Sequence, residues 1–325
     1  MKSFKRLLYI NFLPLFSILV LAIGCSEPVP DTTTKGDSAV SGKISIAVDK
    51  TMQPITEALE AVFEHTYPDA GLDFNYTSEL EAVRQLSKDS VRMVVLGRPL
   101  NEKENTYFTE QQITVREQLI GSDAIVLAIH PSNPVKQLTV DQVLGIIRGQ
   151  IQRWNQLQPG GLQSPVNLVF DNANSGTVSY LTQKASVAQL PSNSFATNTY
   201  DEVLNYVASH PAALGILGWS WMSDSDDPNS SKMLTKVDII ALSPEDTLQG
   251  KSYFKPYQID LQNDFYPFKR NIYFIRREGG AGLATGFTVF TTSEIGQRIL
   301  LKSGILPYRI PAREVEFNTR PLKVE

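Results

Sequence analysis

From Lys43 onward, short apolar runs alternate with segments whose apolar residues recur every three or four positions, which predicts strands alternating with amphipathic helices. Ile44 to Val48 reads as the first strand. Pro54 to Thr66 places Ile55, Ala58, Leu59, Val62 and Phe63 on one helical face. Leu72 to Tyr76 reads as a second strand, Leu80 to Leu86 as a second helix and Met93 to Leu96 as a third strand. A new apolar run begins at Asp123 and extends to His130, followed by a helix over Thr139 to Arg148, a strand over Val166 to Phe170 and a helix from Ser175 onward. Ala213 to Trp219 and Asn271 to Ile275 are later strands, and Ile295 to Leu301 a last helix. This βαβαβ beginning and its restart at Asp123 predict an α/β protein with a partly parallel sheet and no tandem repeat or heptad array.

The first 24 residues have a different pattern. Lys2, Lys5 and Arg6 precede an uncharged, largely apolar run from Leu7 to Gly24, the layout of an export signal. A membrane-spanning anchor is the other reading, weakened by Asn11, Pro14 and Ser17 within an already short span. The run ends Leu21-Ala22-Ile23-Gly24-Cys25-Ser26, which resembles the bacterial lipobox cleaved before a lipid-modified cysteine, with Ala22 where Leu is commoner. Residues 1–24 are therefore expected to be a lipoprotein signal peptide, and Cys25 the lipidation site. Residues 25–42, rich in Pro, Ser, Thr and Gly, read as a flexible tether. A lipid-anchored protein of the cell envelope follows as the expectation, periplasmic or otherwise extracytoplasmic.

Composition narrows the chemistry. The 325 residues are 42% hydrophobic and 20% charged, an ordinary globular balance with room for roughly two domains. A single cysteine forbids an intrachain disulfide and leaves no Cys-based zinc site, and His65, His130 and His210 lack metal-ligand spacing. No metal or cofactor is expected. Acidic residues number 34 against 30 basic, and losing the three leader charges takes the formal charge from -4 to -7. Bulk-charge binding to nucleic acid or another anionic surface is disfavoured.

The run Asn174-Ser175-Gly176-Thr177 offers specific chemistry. Small residues leading into a helix leave backbone N–H groups aimed outward at the positive end of the helix dipole, where an anion can be held. Ser175 and Thr177 add hydroxyl donors; an ordinary helix cap is the plainer reading of the same residues. A second such terminus lies at Lys50-Thr51-Met52-Gln53-Pro54, with Pro54 in the first helical turn and Thr51 a candidate cap. Catalysis finds little support. Ser175 is not in a Gly-x-Ser-x-Gly elbow and has no histidine nearby in sequence, while Gly279-Gly280-Ala281-Gly282 lacks the Lys-Ser/Thr of a phosphate loop.

Several segments, taken in order, resemble the phosphate-binding (PstS-like) solute-binding proteins of ABC transporters, of the type II periplasmic-binding-protein superfamily. They are Gly121-Ser122-Asp123-Ala124-Ile125-Val126, Asn133-Pro134-Val135, Leu138 to Val143, Ile147 to Ile151 with Trp154, and Asn174 to Thr177. Gly215-Ile216-Leu217-Gly218, Ser293 to Ile299 and Gly304-Ile305-Leu306-Pro307 complete the series. The resemblance implies a two-lobe α/β fold with hinge strands, one lobe from 43–121 plus 271–325 and the other from 122–270. It also implies a binding protein without catalysis that delivers a small oxyanion, phosphate first, to an ABC permease. By the same resemblance the ligand contacts are Thr51, Met52, Ser78, Asn174, Ser175, Gly176 and Thr177.

The sequence departs from the family pattern at several of these positions. Asp171 stands where the family has an arginine, Asn174 replaces a glycine, and Glu79, Leu80 and Glu81 occupy positions usually held by small residues. A carboxylate about 4 Å from an oxyanion costs roughly 4 kcal/mol at an effective dielectric near 20. Arg98, in Leu96-Gly97-Arg98-Pro99-Leu100, is the candidate for the missing cation, with a structural salt bridge as its alternative. The departures keep a second reading open, a cell-envelope interaction or sensing module with a degenerate or non-phosphate cleft. Aromatics between 219 and 268, among them Trp219, Trp221, Tyr253, Phe254, Tyr257, Phe265, Tyr266 and Phe268, are expected to serve mostly core and interlobe packing.

Overall fold

The computed structural model describes residues 38–244, 252–277 and 282–311. The leader, Cys25, residues 25–37 of the tether and most of the Gly279 to Gly282 loop lie outside the described residues. Among the described residues the strands are β1 (Gly42–Asp49), β2 (Ala70–Thr77), β3 (Met93–Leu96), β4 (Arg116–Ile129), β5 (Gln137–Thr139) and β6 (Asn167–Phe170). β7 (Ser194–Ala196), β8 (Ala213–Gly218), β9 (Asp238–Ile239), β10 (Ala241–Ser243), β11 (Lys269–Arg276) and β12 (Leu306–Pro307) follow. The helices are α1 (Gln53–Thr66), α2 (Glu79–Ser87), α3 (Glu102–Glu110), α4 (Val140–Ile147) and α5 (Gly176–Ala185). Beyond them lie α6 (Tyr200–Ser209), α7 (Pro228–Leu234), α8 (Gln258–Gln262), α9 (Leu283–Thr292) and α10 (Glu294–Lys302).

The main sheet has the order β2-β1-β3-β11-β4-β8-β6-β7, with β9 and β12 also paired to β4. β2, β1 and β3 are mutually parallel, as are β8, β6 and β7. Between these blocks β11 and β4 run antiparallel to their neighbours. The fold is a two-lobe α/β architecture in which β4 belongs to both halves: Arg116–Ala124 pairs with β11, and Ile125–Ile129 with β8. The strand therefore does not restart at Asp123. It begins seven residues earlier, where Arg116 and Glu117 are exposed and the apolar signal is diluted. A register shift opposite Ile272 and Tyr273 leaves Ile120 as an extra residue and breaks the two-residue alternation just there. The Ile120 carbonyl accepts instead from Gln297 Nε2 at 3.0 Å and from the Tyr308 N–H at 3.2 Å, which ties the C-terminal segment to the crossing strand.

Each block is buried on both faces, as parallel strands require. On one face of β1, Ile46 and Val48 pack with Phe63 of α1 and Phe287 of α9. On the other, Ala47 packs with Leu86 of α2 and Phe108 of α3. In the second block Ile125, Leu127, Leu168 and Ile216 form the core with Trp154, whose indole N–H donates to the Ala212 carbonyl at 3.0 Å. α4 opens with a capping box, Thr139 accepting from Gln142 N–H while the Gln142 side chain accepts in return. The last residues of the tether are part of this body. Ser38 bridges to Ser41, and the Ala39 carbonyl lies so close to Gly286 that a β-carbon there would fall 1.7 Å from it. A bare glycine face on α9 lets the chain lie flat before it turns into β1.

Phe287 is fully buried, with the Phe63 and Phe274 rings both 5.2 Å away. Phe287→Ala is expected to cost about 3–5 kcal/mol in denaturant unfolding; a loss below about 1 kcal/mol would show that this aromatic cluster does not hold the first block together.

Candidate functional site

In open α/β sheets, ligands bind beyond the carboxyl ends of the parallel strands, where successive helices leave toward opposite faces. That condition is met beside β1, since α1 and α2 cover opposite faces of its block. The strand ends β1, β3, β6 and β8 bring Asp49, Gly97, Asp171 and Gly218 to the region where β4 and β11 cross. β4 contributes Asp123 there and β11 contributes Arg270.

Arg270 is the centre of this region. Its guanidinium is buried and donates through Nη2 to Asp123 Oδ2 at 3.1 Å, while Asp123 Oδ1 accepts from the Ser220 N–H at 3.0 Å. Three glycines make room around it. A β-carbon on Gly97 would lie 2.9 Å from Arg270 Cδ, one on Gly218 3.2 Å from Nη2, and one on Gly176 3.2 Å from Nη1. Burial works against the guanidinium charge, but the Asp123 and Asp49 carboxylates hold its pKa above the ordinary value. Nε and Nη1 have no acceptor among the described residues. A buried guanidinium with two spare donors is poised for a further acceptor.

Asp49 approaches from β1. Its Oδ1 accepts from the Thr51 N–H at 3.1 Å, and its Oδ2, without a hydrogen-bond partner, lies against the N-terminus of α5, where a β-carbon on Gly176 would fall 2.0 Å away. Burial, opposed by Arg270 and reinforced by Glu79, pushes the Asp49 carboxyl up to about 7. Asp171 follows β6 directly and is buried, with neither oxygen in a hydrogen bond. Burial raises its pKa as well, against the pull of the nearby Asn172 N–H and Ser175 hydroxyl. Tyr200 OH and Trp221 Nε1 are also buried and unpartnered, the two rings stacked 4.2 Å apart. Burial and the Asp171 carboxylate both keep the Tyr200 phenol protonated.

The residues expected from sequence fall into two groups. Thr51, Met52, Ser175, Gly176 and Thr177 all lie buried around Arg270 and Asp49. The Thr51 hydroxyl caps nothing, because the adjacent Asp49 carboxylate takes the Thr51 N–H, and its Oγ1 is left without a partner. Nor does Ser175 cap α5: its hydroxyl bonds the Thr177 hydroxyl at 2.9 Å. The Ser/Thr capping reading therefore fails at both termini: the Asp49 carboxylate caps the first through its Oδ1 and lies against the start of α5 with its Oδ2. Met52 packs against the guanidinium, its sulfur 4.0 Å from Nη2.

Ser78, Asn174 and Arg98 form the second group. Ser78 caps α2, accepting from the Glu81 N–H at 3.3 Å, and Asn174 is exposed. Arg98 donates to Glu79 Oε1 at 2.7 Å and to both oxygens of Glu104 at 2.7 and 2.9 Å, the structural salt bridge that was its alternative reading. The buried cation is supplied by Arg270 instead. Asn174, Arg98 and Glu79 line a cavity of about 750 Å³ beside the buried cluster, bordered also by Phe170, Ser179 and Glu104. Lys50 Nζ reaches across to the Asn198 carbonyl at 3.0 Å, and Ser220 Oγ donates to the Thr51 carbonyl at 3.3 Å, closing the two blocks on one another.

Asp49, Asp123, Tyr200, Ser220, Trp221 and Arg270 were not singled out as site residues from sequence. The available signal was a charge beside an apolar run: Asp123 precedes a continuous apolar run, and Arg270 stands two residues before Ile272-Tyr273-Phe274-Ile275. Of the aromatics between 219 and 268, Trp219, Tyr266 and Phe268 are buried in the second core, while Tyr257 and Phe265 are exposed.

Residues 33–294 match the family described as a PBP superfamily domain, and the chain belongs to that family. It is similar to the phosphate-binding protein PstS of Bacillus subtilis, 24% identical over 300 residues covering 90% of this chain and 91% of the relative. PstS of Pseudomonas aeruginosa is 22% identical over 303 residues, 88% of each chain. The crystal structure of an ABC-type phosphate transport receptor from Vibrio cholerae superposes with a TM-score of 0.63 at 19% identity, covering 82% of this chain and all of that one.

Asp49 supplies a test of the electrostatics. Its folded-state pKa is raised, so between about pH 4 and pH 7 the folded protein keeps a proton that the unfolded chain has released, and the stability tied to that proton is lost progressively as pH rises through the window. Asp49→Asn removes the titration. In urea unfolding the variant is expected to gain on the wild type by roughly 1–4 kcal/mol at about pH 8 and by less at about pH 5. A gain independent of pH, or a loss at pH 8, would contradict the buried, proton-holding carboxyl.

Proposed function

We propose that this chain is an extracytoplasmic solute-binding protein that captures phosphate between its two lobes and delivers it to an ABC permease. In this reading the lobes are 43–121 plus 271–325 and 122–270, joined through β4 and β11. A lipid on Cys25 anchors the protein in the membrane, the preceding signal peptide having been removed. The protein binds and releases without catalysis and needs no cofactor.

One observation carries the reading: buried polar groups without protein partners converge on one place. Arg270 Nε and Nη1, Thr51 Oγ1 and Asp49 Oδ2 lie there beside the start of α5, which Ser175 does not cap. Buried polar groups are otherwise almost always hydrogen-bonded, so this set is suited to a polar occupant rather than to an apolar core. The similarity to phosphate-binding proteins over most of the chain supports phosphate as that occupant. In this assignment Thr51, Ser175 and Thr177 donate hydroxyls, Met52, Gly176 and Thr177 donate backbone N–H groups, and Arg270 supplies the charge. Asn174 and Arg98 line the adjacent cavity and shape access, and Ser78 caps the helix that brings Glu79 to it. Contacts from both lobes favour the closed arrangement once the anion is in place.

Titration calorimetry of the purified protein with phosphate is the test. Binding is expected, and Ser175→Ala with Thr177→Val should weaken it by ~1.5–3 kcal/mol for each charge-assisted bond lost, with little change in thermal stability. Absence of heat at millimolar phosphate across neutral pH would remove phosphate and favour the envelope interaction or sensing module, for which the Asp49 carboxylate resting at the α5 terminus is the specific support. For the anchor, Cys25→Ala should release the protein from membranes or block its processing; unchanged membrane retention and processing would contradict lipidation at Cys25.

A further inference from the structure

The buried cluster holds more carboxylates than its one buried cation can offset. Asp49, Asp123 and Asp171 are all buried, and among them stands one buried guanidinium, Arg270. Asp123 is matched by that guanidinium and by the Ser220 N–H. Asp49 Oδ2 and both oxygens of Asp171 accept no hydrogen bond among the described residues, although Arg270 lies near the first carboxylate and the Asn172 N–H and Ser175 hydroxyl lie near the second. The surrounding charges do not repair this. Glu79 adds to the negative field at Asp49 but is tied to Arg98, while Lys50 faces Asp171 with its ammonium on the Asn198 carbonyl. Tyr200 and Tyr180, the titratable phenols near this cluster, keep their protons through burial. No group of three or more His, Cys, Asp or Glu side chains among the described residues is arranged to hold a metal ion.

An oxyanion placed against two ionised carboxylates in a dry site is repelled by each, whereas a neutral carboxyl offers it an O–H donor. We propose that Asp171 and Asp49 serve as carboxylic-acid donors to the bound oxyanion, so that capture of the anion takes up a proton from solution. This rests on the oxyanion-binding reading above and assigns two specificity-determining residues to that site. The proton moves from water to a carboxylate oxygen as the anion enters, and no covalent bond to the anion forms. Burial, which already favours the protonated form of both side chains, prepares them for this role. An aspartate where the resemblance expects arginine thus becomes a donor instead of an obstacle. Linkage is reciprocal: protons favour the anion, the anion favours protons, and a rise in pH promotes release.

The experiment is calorimetry of the purified protein with inorganic phosphate in two buffers of different ionisation enthalpy, from about pH 6 to about pH 8.5, which counts protons taken up per phosphate bound. Asp171→Asn and Asp49→Asn are isosteric, keep an N–H donor and cannot ionise; circular dichroism identifies the variants that fold. Wild type is expected to take up more protons than a folded variant, by up to roughly one per phosphate near pH 8. The variant's affinity should then vary less with pH. The change in protonation of phosphate itself is common to both proteins and cancels in the difference. Phosphate binding with the same proton count in wild type and variants would overturn the inference and leave the proposed function standing. No phosphate binding at any pH would overturn both.

Discussion

The ion pair between Arg270 and Asp123 is the interaction on which the rest of the site depends. Both partners are almost wholly removed from water, and a buried ion pair broken from one side typically costs about 3–5 kcal/mol because the remaining charge is left uncompensated. Their strands are the two that cross between the parallel blocks, Arg270 pairing with Asp123 in the β11–β4 register. The same contact therefore fixes how β4 and β11 sit against each other and where the guanidinium points. Gly97, Gly176 and Gly218 fit against it from three other segments, so each block meets the cluster without a side chain intervening.

From that pair the chemistry follows in order. Arg270 retains two donors after satisfying Asp123, Ser175 leaves the start of α5 to the Asp49 carboxylate beside it, and Thr51 presents a hydroxyl with no partner among the described residues. The groups belong to both halves of the fold, which is the arrangement a hinged binding protein needs. The carboxylates Asp49 and Asp171 give the site a dependence on protons that an arginine at position 171 would not have given it.

Much of the fold was legible in the sequence because parallel strands buried on both faces leave dense apolar runs. Met93 to Leu96 is a strand over just those residues, and the face of α1 is the one its periodicity predicts. The first half of β4 was less legible, since exposed Arg116 and Glu117 and the extra Ile120 disturb the alternation. α9 was missed for a different reason: Leu-Ala-Thr-Gly-Phe-Thr-Val-Phe-Thr-Thr is rich in β-branched and aromatic residues, and packing on the first block overrides that preference. The loop at Asn174 to Thr177 and the turn at Thr51 and Met52 could be read from local spacing. Arg270 could not, because it lies about a hundred residues from the loop it serves and only the sheet order joins them.

The account's central claim is that the oxyanion seat is the buried cluster around Arg270, not the Arg98 mouth. Anomalous diffraction from crystals grown with arsenate, a heavy isostere of phosphate, tests this directly. The account predicts a single strong arsenic peak about 4 Å from the Arg270 guanidinium and the start of α5, as hydrogen-bond distances require. A peak beside Arg98 and Glu79 with none at Arg270 would contradict it.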